Sequence, residues 1–124
     1  MKKIIITGGA GYIGTCLTEL LLSKGYEVTV YDRLMYDGAV LIPFFNNQNF
    51  EFIKGDILDK DNLTKAMKGK DVVIHLAAIV GYFACDNNIQ WSTDINIKGT
   101  QNVLDSISGD QLLLFGSTGS NYGE

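Results

Sequence analysis

The stretch TGGAGYIG, residues 7–14, sets Gly8, Gly11 and Gly14 three residues apart, with Gly9 beside the first. It stands directly behind Ile4, Ile5 and Ile6. These residue types at this spacing suit the binding of a pyrophosphate. Backbone amides must come close to phosphate oxygens, and a side chain at the point of closest approach would block them. Glycine leaves that space open and allows the positive φ of a tight turn. A helix opening there presents free N–H groups and the positive end of its dipole to the anion. The last glycine lets that helix lie close on the preceding strand. Asp32 follows Gly14 by 18 residues. A carboxylate there accepts hydrogen bonds from an adenosine ribose diol and repels a 2′-phosphate, which favours NAD over NADP. Arg33 next to it weakens that preference slightly.

A glycine-rich turn is weak evidence by itself and gains weight from its surroundings. Residues 2–7 are a short, β-branched apolar run, as in a buried parallel strand. Tyr12 to Lys24 carries Ile13, Leu17, Leu20 and Leu21 as a helical stripe, ended by Gly25. Further strands are expected over 26–32, 50–56, 71–78 and 111–117. Helices are expected over 59–68, capped by Asp59 with Leu63, Ala66 and Met67 inward, and over 93–108. In the second of these, Asn96, Thr100, Val103 and Ile107 share a face, with Gly99 beside them. Residues 34–49 hold the single proline, Pro43, and read as a short helix or irregular excursion; 79–92 read as mostly loop. Strand alternating with helix gives a parallel sheet with right-handed crossovers and helices on both faces. The expected fold is α/β, a Rossmann-type doubly wound sheet of about five strands in the order 3-2-1-4-5, occupying residues 1–124 as one domain.

In an open parallel sheet, ligands bind beyond the carboxyl ends of the strands. Each expected strand ends in small or polar residues: the glycine turn, Asp32, Gly55-Asp56, Ala77-Ala78, and Gly116-Ser117-Thr118. Such a rim suits a long, flat cofactor. The alanines leave room for it, and Asp56 is placed to accept from the adenine amino group, although an Asp here also suits an ordinary turn.

Composition bounds the rest. The 124 residues are 46% apolar and 19% charged, ordinary for one globular domain. A net charge of −4 with a single arginine argues against a nucleic-acid partner. No apolar run reaches the roughly 20 residues that span a membrane. The opening MKKIII is cut short by glycines and does not read as a signal peptide. Cys16 and Cys85 are therefore expected as reduced thiols in a cytoplasmic protein.

Six pieces in order, TGGAGYIG, VYDRL, KGDILD, HLAA, INIKGT and FGSTGSNYG, give the chain a resemblance to the N-terminal portion of the extended short-chain dehydrogenase/reductases. Within that family the chain resembles the nucleotide-sugar epimerases and dehydratases in particular. The resemblance implies pyrophosphate binding by Gly8, Gly11, Tyr12, Ile13 and Gly14, and ribose binding by Asp32 beside Arg33. It implies adenine contact at Asp56 and Ile57 and a cofactor border at Leu76, Ala77 and Ala78. It also implies a role for Asn96, which a core amide would fill equally well. His75, alone on a buried strand, reads as structural. The catalytic hydroxyl, the group that meets the sugar hydroxyl being oxidised, falls on Thr118, with Ser117 and Ser120 nearby. The implied cofactor is NAD and the implied partner a nucleotide sugar.

The same resemblance implies a tyrosine general base followed four positions later by lysine. Here Tyr12, Tyr26, Tyr31, Tyr36 and Tyr82 are followed at that distance by Cys16, Val30, Met35, Val40 and Asp86, and Tyr122 lies too near the end. The pair is absent. The expectation is a fragment of a longer enzyme, inactive by itself, whose last strand leaves an open edge able to pair with another copy. A non-catalytic dinucleotide-sensing module acting through a protein partner is the rival reading.

Overall fold

The computed structural model describes residues 2–35, 37–78 and 89–117. Five strands, β1 (Lys3–Thr7), β2 (Glu27–Asp32), β3 (Phe50–Lys54), β4 (Val72–His75) and β5 (Leu112–Phe115), form one sheet in the order β3-β2-β1-β4-β5. Every pairing is parallel; Ile5, at the centre of β1, lies opposite Thr29 on one side and Val73 on the other. The chain moves from β1 toward β3 and then returns past β1 to β4. The direction of winding therefore switches between β1 and β4, where a crevice opens at the carboxyl ends of the strands.

Alternate side chains of each strand face opposite layers. Ile5, Tyr31 and Val73 bury against Leu63, Ala66 and Met67 of α2 (Lys60–Met67) and against Ile57, Ile95 and Val103. Ile4, Ile6, Val28, Val30 and Ile74 bury against Leu22 of α1 (Tyr12–Ser23) and Leu41. The central strands are covered on both sides, which is why they read as continuous apolar runs. Leu41 lies in a 3-10 segment, Gly38–Phe44, that contains Pro43 and is capped by Asp37, whose Oδ1 accepts from Ala39 N–H at 2.9 Å. Asp59 caps α2 as expected, accepting from Asn62 N–H at 3.2 Å.

Three expectations need correction. The inward face of α1 is Gly14, Thr18 and Leu22, with Leu17 and Leu21 packed beside it, whereas Ile13 and Leu20 are exposed. Backbone contact at Gly14 sets the helix rotation, and the apolar stripe follows. The last helical region begins at Ile89, earlier than expected, and is compound. It consists of α3 (Ile89–Thr93), a π-helical stretch Asp94–Gly99, and α4 (Thr100–Ser106). The wider i→i+5 turn shifts the inward face, so Ile95 and Gly99 are buried in place of Asn96 and Thr100, while Val103 is buried and Ile107 packs against the core as expected. Strands β3, β4 and β5 also stop at Lys54, His75 and Phe115, leaving Gly55-Asp56, Leu76–Ala78 and Gly116-Ser117 as the turns that follow. Among the described residues, no helix is long and apolar enough to cross a membrane.

Candidate functional site

The carboxyl ends of the strands converge on a cleft of about 610 Å³, within the range of about 300–1,000 Å³ usual for small-ligand sites. Gly8, Gly11, Tyr12, Ile13 and Gly14 line it from behind β1, and Asp32 with Arg33 from behind β2. Asp56 and Ile57 line it from behind β3, and Leu76, Ala77 and Ala78 from behind β4. Asn96 does not line it, and Thr118 lies outside the described residues. Gly55 and Ser117, from the strand-end rim, line it too, and so do Tyr31 and Ile95, which were not singled out from sequence. Strand alternation gives no hint that a buried Tyr31 extends to the rim. The odd phase that brings Ile95 there comes from the π-helical stretch.

The glycines divide the labour of the turn. Gly8 has φ +72°, and a Cβ on it would lie 2.7 Å from the Ala77 backbone nitrogen. A Cβ on Gly14 would lie 2.5 Å from Gly9 Cα, so α1 starts in contact with the turn itself. These two positions hold protein against protein. Gly11 differs: its nearest obstacle is the Gly8 carbonyl, at 3.4 Å, and it is exposed. The first α1 bond runs from Thr15 N–H to the Gly11 carbonyl, 2.9 Å. The amides of Tyr12, Ile13 and Gly14 precede it, at the positive end of the helix, with no side-chain cap over them. The turn therefore offers open backbone and uncommitted donors on the cleft side, which fits an anionic group.

Asp32 is fixed by two backbone donors. Leu34 N–H reaches Oδ1 at 2.7 Å and Ala10 N–H reaches Oδ2 at 3.0 Å. The second bond ties the end of β2 to the glycine turn. Each carboxylate oxygen keeps a further lone pair, so a diol can still be received. Asp56 Oδ1 accepts from Leu58 N–H at 2.9 Å, and its Oδ2 stands 3.5 Å from Arg33 Nη1. The Arg33 guanidinium also lies over the Trp91 ring, 5.4 Å from its centroid. Tyr31 Oη donates to the Asp56 carbonyl at 2.8 Å and accepts from Asn62 Nδ2 at 3.3 Å. Burial, with help from the Asp59 and Asp56 carboxylates and against the Asn62 hydrogen bond, pushes the Tyr31 phenol up to about 12.

His75 is 2% exposed and bonded through both ring nitrogens, as a structural histidine would be. Its Nδ1 lies 2.6 Å from Thr7 Oγ1, and its Nε2 lies 3.0 Å from Thr100 Oγ1. Thr7 Oγ1 already accepts from Leu76 and Ala77 N–H at 3.2 and 3.3 Å, so its hydrogen goes to Nδ1. Thr100 Oγ1 donates to the Asn96 carbonyl at 2.8 Å, so it accepts from Nε2–H. These bonds assign the Nε2–H tautomer. Burial lowers the ring's pKa from 6.5 to about 4, which keeps it neutral.

A parallel sheet with a glycine turn behind β1, an acid behind β2 and a cleft at the switch point defines a Rossmann-type nucleotide-binding domain. The sequence matches the NAD dependent epimerase/dehydratase family over residues 4–124, and the chain belongs to that family. It is 36% identical to a UDP-N-acetyl-alpha-D-glucosaminuronate decarboxylase of Bacillus cytotoxicus, covering 99% of this chain and 38% of that protein. It is 33% identical to a CDP-paratose 2-epimerase of Salmonella typhi, covering 98% of this chain and 38% of that protein. The structure of a UDP-glucose 4-epimerase from Brucella ovis in complex with NAD superposes with a TM-score of 0.84 at 31% identity, covering 100% of this chain and 38% of that one. The chain thus spans about 38% of the length of these relatives.

Proposed function

We propose that this chain is the NAD-binding part of a nucleotide-sugar epimerase or dehydratase. The observation that carries the reading is the single cleft in which the ends of β1, β2, β3 and β4 meet. When bound, NAD would supply transient acceptance of a hydride from a sugar carbon and its return. The open backbone at Gly11 and the first amides of α1 hold the pyrophosphate. Asp32, already oriented by Ala10 and Leu34, receives the adenosine ribose diol and disfavours a 2′-phosphate. Asp56 and Ile57 border the adenine, and Leu76 to Ala78 form the opposite wall. Thr118 meets the sugar hydroxyl in this reading. Asn96, outside the cleft lining, acts through the π-helical stretch, where its carbonyl holds Thr100.

The family resemblance assigns proton abstraction to a tyrosine paired with a lysine four residues on, and these 124 residues contain no such pair. The chain alone is therefore expected to bind cofactor without turning substrate over. Calorimetric titration tests the reading. Saturable 1:1 binding of NAD, weakened about ten-fold or more by Asp32→Ala, is expected, since one lost charged hydrogen-bond acceptor is worth at least about 1.4 kcal/mol. No heat of binding at millimolar NAD overturns the proposal.

A further inference from the structure

Among the described residues that line the cleft, Arg33 is the one basic side chain, and it stands directly after Asp32, the acid assigned to the ribose in the reading above. Successive residues at a strand end turn to opposite faces. Asp32 turns toward the glycine turn, where Ala10 N–H meets it. Arg33 turns the other way, toward Asp56 and Trp91. Its ion pair is with Asp56 and not with the adjacent Asp32. The cation is therefore tethered on the side of the sheet end away from the ribose carboxylate, by a charge on one turn and a ring on α3.

We propose that this tether sets cofactor selectivity: Asp56 and Trp91 keep Arg33 from serving a 2′-phosphate, so that discrimination against NADP rests on Asp32 repulsion together with a restrained cation. The inference rests on the NAD-binding reading above. Asp32 alone explains why a 2′-phosphate is unwelcome. An unrestrained arginine one residue away would offset that repulsion, and the Asp56–Arg33–Trp91 arrangement restrains it. A cation over an indole face and a half-exposed ion pair are each modest interactions, so release of either changes selectivity by a measurable but limited factor.

The test is the ratio of NADP to NAD dissociation constants in the wild type, Trp91→Leu, Asp56→Asn, Arg33→Ala and the two double variants carrying Arg33→Ala. Asp56→Asn keeps an acceptor for Leu58 N–H and leaves Trp91 packing untouched, so it covers the case in which the Trp91 change disturbs folding. Each tether variant is expected to narrow the ratio about five-fold through tighter NADP binding. Arg33→Ala alone is expected to leave the ratio within about two-fold, because the tethered cation contributes little, and in the double variants the narrowing is expected to vanish. A ratio unmoved in both tether variants, or a narrowing that survives Arg33→Ala, overturns the inference. If the wild type binds neither dinucleotide, the NAD-binding reading itself has failed, which is a distinguishable result.

Discussion

The ends of β2 and β3 are built alike and behave differently. Both carry an Asp whose Oδ1 accepts the N–H two residues on, from Leu34 at 2.7 Å and from Leu58 at 2.9 Å. This is the same side-chain-to-backbone turn used twice. The second oxygens part company. Asp32 binds a backbone amide of the glycine turn, and Asp56 pairs with the half-exposed Arg33 side chain. One turn is therefore part of the framework that shapes the cleft. The other is a surface on which charge can be rearranged. Identical local chemistry acquires distinct roles from what lies across the gap.

Gly8, in the turn that Asp32 binds behind β1, and Gly55, beside Asp56 behind β3, should separate most widely. Gly8→Ala meets both a positive φ and the Ala77 backbone, so it should cost about 3 kcal/mol of stability, read by urea or thermal unfolding. At Gly55, behind β3, a Cβ would meet the buried Tyr31 ring and the Asn62 amide, which are side chains and not backbone. Gly55→Ala should cost less, about 1–2 kcal/mol. Equal losses would break the contrast between a rigid and an adjustable strand end. Next in size, Asp32→Ala strands the Ala10 and Leu34 amides and should cost about 2 kcal/mol. Asp56→Ala removes an exposed ion pair and one exposed turn bond, and should cost about 1 kcal/mol or less. The same unfolding measurement decides between them.

The gentlest probe is pH. Tyr31 stays neutral in the folded chain up to about 12 against an ordinary 10.0, so its contribution is complete below pH 10 and lost as pH rises toward 12. His75 works at the other limb. The unfolded ring takes a proton near 6.5 and the folded one only near 4, so stability is complete above pH 6.5 and falls as pH drops toward 4. Unfolding midpoints across pH should show both slopes, the alkaline one flattened in Tyr31→Phe and the acid one in His75→Gln. Because Tyr31 joins β2 to the Asp56 carbonyl, Tyr31→Phe should also loosen the β3 end, by about 1 kcal/mol.

Much of this was legible in the residues. β-Branched runs marked the strands, their alternation with helices implied a parallel sheet, and the Rossmann-type expectation supplied the order observed. The small and acidic residues at strand ends gathered at one rim because a parallel sheet points all its carboxyl ends the same way. Other features depended on contacts that periodicity does not encode. Ile13 and Leu20 carry the helical spacing yet face outward, because Gly14 meeting Gly9 decides how α1 is rotated. Asn96 fell out of the cleft lining and Ile95 entered it through a π-helical turn that i, i+3, i+4 counting assumes away. The Arg33 tether needed Trp91, 58 positions later in the chain, and nothing local to either residue announces the other.

The hydroxyl of Thr7 owns one hydrogen, and the lattice of donors around it leaves that atom a single destination, the imidazole at the end of β4. The imidazole's own hydrogen is in turn committed to Thr100. Two placed protons thus join the end of β1 to the end of β4, and the end of β4 to α4, within the interior. An acid strong enough to add a third would set an unwelcome charge between those two contacts.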